Sequence, residues 1–196
     1  MSPRPRATSD ESILAAASRV ICRLGPARFT LADVGEEAAM SAAALVQRFG
    51  SKGGLLLALA EERASAVPLR FAAARELYAS PVDALLDALT RADGPTDTPE
   101  ALANDLAFVQ MHLREPEFHA HALAQATATL AEIRALLEEA VQAGELAECD
   151  PEDLSRTVQT AYTGALATWA VYRSGARDEW LRGEVEAVLE PYRPVA

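Results

Sequence analysis

The chain has little of what marks a stapled, embedded or fibrous protein. Its 196 residues hold 2 cysteines. Cys22 and Cys149 lie far apart and in no metal-spaced pair, which excludes a disulfide framework and predicts buried thiols in a reducing cytoplasm. Only 10 residues are glycine and 6% are aromatic. The opening stretch MSPRPRATSDE has no apolar signal core, and no run is long enough to span a bilayer, so a cytoplasmic protein without a membrane partner is expected. No segment shows the alternation of a strand, and no internal repeat is present. Glycine-rich phosphate loops, nucleophile motifs and catalytic carboxylate pairs are also missing. Glu61-Glu62 and Glu138-Glu139 read as solvated helix faces, and no enzyme is expected. His112 and His119 straddle Pro116, while His119 and His121 point to different helix faces, a spacing that fits no common zinc motif. Neither metal nor cofactor is expected.

What remains is rich in alanine and leucine. Hydrophobic residues make up 50% of the chain, enough for a sizeable core, and the dominant residue types favour helix. The length suits one or two small domains. The net charge of −11 is unevenly spread. Residues 1–55 carry seven basic groups and five acidic ones, a balance of +2 that leaves −13 to the remainder. A mildly basic head on an acidic body is the expected division, with surface charge that merely varies as the plainer reading.

Periodicity and punctuation predict nine or ten helices. The first covers residues 9–24, opened by a Thr8–Glu11 capping box and closed by Gly25-Pro26. From Ser51 a helix runs to about Val67, where Pro68 should break or kink it; Phe71 to Tyr78 is helical again. Pro81 opens the next helix. Residues 92–99 form the clearest loop, and Thr98-Pro99 starts a helix reaching Arg114. Leu102, Leu106, Val109 and Leu113 are expected to form its apolar stripe, widened by Phe108, Met111 and His112. A long helix follows from Pro116 to Ala143. Asp150-Pro151 opens the penultimate helix, to about Arg173, and the last covers about 177–190.

The most informative stretch is Thr30 to Lys52, TLADVGEEAAMSAAALVQRFGSK. Thr30 is an N-cap with Asp33 in the capping-box position, and Leu31, Val34 and Ala38 share one face. Ala39-Met40 turns the chain. Ser41 caps a second helix, Ala42 to Phe49, with Leu45 and Phe49 inward; Gly50 stops it and Ser51 caps the next. Helix, tight turn, helix is a helix-turn-helix candidate, whose second helix enters the DNA major groove. Its outward positions are Ala42, Ala43, Gln47 and Arg48. Gln pairs with adenine, Arg with guanine, and Ala touches a thymine methyl. Thr30, Ser41, Ser51 and Lys52 sit at helix starts, where hydroxyl, backbone N–H and dipole can face phosphate. Arg4 and Arg6 could reach an adjacent minor groove. The plainer alternative is an alanine-rich helical hairpin that only packs.

These residues resemble the DNA-binding region of the TetR family of bacterial transcriptional repressors. Thr30, Ala38, Ser41, Leu45, Phe49, Ser51 and Lys52 match that family's pattern. Ala39 stands where Gly is usual, Val46 and Gln47 where Tyr and His are frequent, and Gly53-Gly54 replaces an acidic helix start. The resemblance implies an all-α protein: a three-helix helix-turn-helix head, residues 1–52, on a helical ligand-binding and dimerisation body, residues 53–196. It implies a regulator that binds an operator in double-stranded DNA, a small apolar effector that releases it, and a homodimer formed by the last two helices of each chain. The wide apolar arc late in the chain suits such a partner: Tyr162, Ala165, Trp169, Val185, Val188 and Leu189 are the expected interface. Phe71, Tyr78, Phe108, Met111, His112, Phe118 and Tyr162 are candidate walls of a ligand pocket, plain core being the competing reading. The alternative function is a helical ligand-binding or interaction protein that has lost DNA binding.

Overall fold

The computed structural model describes residues 9–91 and 94–194, with His112 described by its backbone alone. The described chain is all-helical: α1 (Asp10–Leu24), α2 (Leu31–Glu37), α3 (Ala42–Phe49), α4 (Lys52–Leu77), α5 (Pro81–Thr90), α6 (Pro99–Arg114), α7 (Pro116–Gln142), α8 (Pro151–Tyr172) and α9 (Arg177–Leu189), with a short 3₁₀ turn at Glu190–Tyr192. Local chemistry sets most starts. Ser9, Thr30, Ser41, Ser51, Ser80 and Thr98 each accept a backbone N–H from three residues on, satisfying one of the donors that a helix start leaves orphaned. The predicted Thr8–Glu11 box is superseded by Ser9; Thr8 itself lies outside the described residues.

The helices close around two apolar cores. Ile13, Ala17, Val20 and Ile21 of α1 meet Phe29, Val34, Leu45, Leu55, Leu56 and Leu59, forming the head core. Val67, Phe71 and Ala74 of α4 join Leu85, Leu86 and Leu89 of α5, Ile133, Leu136 and Leu137 of α7, Val158 of α8, and Val185 and Leu189 of α9. Along α4 the packing therefore passes from one core to the other between Ala60 and Val67. Burying whole Leu, Ile and Phe side chains at roughly 1.5–3 kcal/mol each is what holds both.

Two expectations are corrected. Pro68 does not end α4, which runs unbroken through it to Leu77. Pro68 is solvent-exposed, whereas Val67, Phe71 and Ala74 are buried, so packing on both sides of the proline outweighs the lost backbone bond. The stripe assigned to α6 is also rotated. Leu113 is 68% exposed and Val109 38%, while Phe108 is fully buried. The head core, entered by Phe108 and by Phe118 of α7, selects that face rather than the leucine spacing.

A polar junction ties head to body. The Arg63 guanidinium of α4 donates to Asp105 of α6 at 2.7 Å and to Ser18 of α1 at 3.1 Å. It also lies 5.1 Å from the Phe108 ring centroid. Asn104 donates to the Cys22 carbonyl at 2.8 Å. Burial pushes the Cys22 thiol up to about 12, so it stays protonated; Cys149 is only partly buried. The Arg63–Asp105 side chains are 20% and 17% exposed. Asp105→Ala, which strands the guanidinium, should lower unfolding stability by roughly 1.5–3 kcal/mol. The apolar double replacement Arg63→Met/Asp105→Leu should cost less than Asp105→Ala alone, as urea denaturation will measure.

Candidate nucleic-acid interface

The head presents a short, exposed second helix at the end of a strained turn. Thr30 and Asp33 form the capping box in full: the Thr30 Oγ1 accepts the Asp33 N–H at 3.3 Å, and Asp33 Oδ2 accepts the Thr30 N–H at 2.7 Å. The Thr30 hydroxyl, which donates to the same Oδ2, and then the Thr30 N–H hold the Asp33 carboxyl below its usual range. After α2, Ala39 adopts φ 53, a left-handed conformation costing roughly 1–2 kcal/mol in a residue with a Cβ. Gly35 makes the turn possible, because a Cβ there would lie 2.5 Å from the Met40 carbonyl oxygen. The Ser41 Oγ then accepts the Ala44 N–H at 3.1 Å and α3 begins.

On α3, Leu45 is buried and Phe49 half-buried against the head core, while Ala43, Val46, Gln47 and Arg48 are exposed and Ala42 is intermediate. Val46, at 45% exposure, was not among the sequence candidates, although its position one turn after Ala42 and Ala43 points it outward. The Arg48 Nε pairs with the Asp10 carboxylate at the start of α1, so its charge is directed back toward the head.

Lys52, the only lysine in the chain, also turns inward. Its Nζ donates to the Phe29 carbonyl at 2.6 Å and to the Ala27 carbonyl at 3.4 Å, 4.1 Å from the Phe29 ring centroid. Desolvation lowers its pKa. It staples the loop before α2 to the start of α4. Arg19 and Arg23 both bind Glu37, at 2.8 and 3.2 Å, and these bonds hold the Glu37 carboxyl low. Arg28 is exposed in the turn before Thr30; sequence reasoning counted its charge but did not mark it as a contact. Of the cap hydroxyls, Thr30 also donates to Asp33 Oδ2, at 2.7 Å. Ser41 and Ser51 use their oxygens as acceptors and keep an O–H to donate. Arg4 and Arg6 lie outside the described residues.

The sequence model of "Bacterial regulatory proteins, tetR family" matches residues 13–59, α1 through the first turns of α4. This head is a TetR-family head. No curated protein matches the chain in sequence. In structure, a TetR transcription regulator from Haloarcula marismortui superposes with TM-score 0.77 at 18% identity, over 94% of this chain and 98% of that one. NemR of E. coli in its reduced form gives 0.74 at 15%, over 95% and 99%. The transcriptional regulator FadR of Bacillus subtilis, in complex with stearoyl-CoA, gives 0.66 at 16%, over 92% and 98%. The chain therefore has the TetR-family fold along its length, head and body together. Among the described residues no helix is long and apolar enough to cross a membrane.

In the body, which shares the TetR-family fold, the pocket candidates do not line one cavity. Phe71 is fully buried in the body core, with Tyr162 packed at its edge. Phe108 and Phe118 meet edge to face at 6.5 Å in the head core, with Met111 against them. Tyr78 is on the surface, its hydroxyl 3.2 Å from Asp87, and the His112 side chain lies outside what is described. Two hollows stand out among the described residues. One of about 210 Å³ is lined by Asp87, Thr90, Arg91, Asp178, Glu179 and Arg182; one of about 50 Å³ lies beside it, reaching Arg70 and Leu77. The larger is mainly polar; the smaller is mainly apolar, with Ala73, Ala74 and Leu77 in its wall. The expected dimer residues are similarly claimed by the chain itself: Ala165, Trp169, Val185 and Leu189 are buried, and Tyr162 and Val188 pack on the body core. The reason is that α9 folds back on α8 and also reaches α5. Thr160, Gly164, Ala167 and Val171 of α8 remain outward, with Gly183 and Ala187 of α9.

The two glycines that open α4 do different work. A Cβ on Gly54 would lie 2.0 Å from the Phe49 carbonyl oxygen, whereas on Gly53 it would meet only the Ser51 hydroxyl at 3.6 Å. Gly53→Ala should raise stability by roughly 0.5–1 kcal/mol. Gly54→Ala must separate α3 from α4 and should lower stability by more than that gain. Thermal melts of both variants will check the sign difference.

Proposed function

We propose that the protein is a ligand-responsive transcriptional repressor that binds operator DNA as a homodimer. The observation that carries this reading is the exposed α3, capped by Ser41 and held from behind by Leu45 and Phe49. In a helix-turn-helix of this kind the second helix enters the major groove. Affinity would come from phosphates met by the Ser41 and Ser51 helix starts and by Arg28, with Thr30 and Lys52 fixing the frame that presents them. Base choice would come from Ala43, Gln47 and their neighbours on α3, with Ala42 small enough to permit close approach. DNA reading is assigned to residues 1–52, effector binding and dimerisation to 53–196, although the apolar packing of the head extends to Ala60.

The partner copy would dock on the outward faces of α8 and α9, where Gly164, Ala167, Gly183 and Ala187 let helices approach closely. Two copies would set two α3 helices about 34 Å apart, one turn of DNA, on a pseudo-palindrome. A small apolar effector would have to open the filled body core near Phe71 and Tyr162. Through α4 it would shift the heads, only as far as it prefers the non-binding shape. FadR binding stearoyl-CoA on a similar fold supports an effector with an apolar chain.

A gel shift with the DNA flanking the protein's own coding region tests the reading: a discrete complex is expected, and no retardation would favour a head that no longer binds DNA. Gln47→Ala should cost roughly 1–3 kcal/mol on the operator and relax preference at one base pair. Arg28→Ala should weaken all sequences alike and reduce the salt slope by about 1. Fluorescence anisotropy across a salt series separates the two.

A further inference from the structure

We infer that the operator half-site carries A·T pairs beneath α3 and is read chiefly through thymine methyl groups, an inference that rests on the DNA-reading function proposed above. Successive helix residues are about 100° apart. Ala43 and Gln47 therefore share the ridge facing away from buried Leu45, with Val46 on one flank and Arg48 on the other. In the major groove thymine alone presents a C5 methyl, adenine offers N6 and N7 to a bidentate amide, guanine is most often met by an Arg or Lys donor, and cytosine by an acidic acceptor.

The outward chemistry of α3 suits the first two best. Ala43 and Val46 are exposed and apolar, Val46 at 45%. Gln47 supplies one amide. The cationic side chain of α3, Arg48, is directed to Asp10, and Lys52 beyond it is held by the Phe29 and Ala27 carbonyls. The helix, AAALVQRF, contains no acid. A guanine contact would require Arg48 to leave Asp10 and leave that carboxylate unpaired. Arg48 thus serves to position the α1 start against α3, and the base readers are Ala43, Val46 and Gln47.

The test uses the full-length protein. Binding sites are first selected from a random duplex pool, and then deoxyuridine, which lacks only the methyl, replaces each thymine of the selected half-site in turn. A·T pairs are expected at the central positions of each half-site. One or two uracil substitutions should weaken binding about fourfold each, the value of one buried methyl, with no effect in the flanks. Val46→Ala, checked for its melting temperature, should abolish one of those penalties, and Arg48→Ala should return the same selected site. G·C pairs at the central positions, uracil tolerated throughout, or a changed site with Arg48→Ala would each overturn the inference while leaving DNA reading intact. A pool from which nothing is selected would overturn DNA reading and this inference together.

Discussion

The start of α4 lies against the end of α3 so closely that the position of Gly54 admits no side chain: a Cβ would be 2.0 Å from the Phe49 carbonyl oxygen. Much of the head's geometry depends on that contact. Gly50, at φ 78, turns the chain out of α3, and Ser51 accepts the Gly54 N–H at 3.0 Å to begin α4 one residue later. Lys52 then reaches back to the Phe29 carbonyl and ring, while Phe29 is buried among α1, α2 and α4. The orientation of α3 is thereby fixed relative to α4, and α4 is one unbroken helix whose residues belong to both cores. A movement of the body core around Phe71 would be passed along a rod that ends at α3. Arg63 crosses the same rod midway, binding α1 and α6 together, so head and body cannot shift independently without breaking a charge-assisted bond in a partly desolvated setting.

What could be read from the sequence was what depends on neighbours in the chain. Thr30, Ser41 and Ser51 were recognisable as caps because each bonds to its own backbone three residues on, and the limits of α3 follow from Ser41 and Gly50. The left-handed Ala39 was legible as a departure from glycine, though not as strain. Long-range partners were not legible. Nothing near Arg48 in the sequence announces Asp10, and nothing near Lys52 announces Phe29, so both were assigned to DNA when their charges turn inward. Pro68 carries a strong local rule against helix, overridden because Val67 and Phe71 on either side of it are each buried in a core. The late apolar arc was wide for a similar reason. Helix α8 is covered by α7 on one side and α9 on another, which consumes Ala165 and Trp169 and leaves a narrower, small-residue face.

The electrostatics also constrain how DNA can be held. A head with a balance of +2 on a chain of −11 looks basic only by contrast. Glu37 engages two of its arginines and Asp10 a third. Protein–DNA affinity usually rests on neutralising phosphates with free cations, and among the described head residues Arg28 is the cation with no acidic or carbonyl partner. Among the described residues the rest of the attraction would come from oriented N–H groups at helix starts, which carry partial charges and act only at contact. Such a head would discriminate by fit: small side chains on α3 would let the backbone approach, and apolar groups would gain only where the groove offers a methyl. One such head should hold DNA weakly. Two, linked through α8 and α9 as proposed, would turn the second encounter into an intramolecular one. On that proposal pairing of the chains would be a condition of binding, and an effector that respaces the heads would have a large lever on the complex.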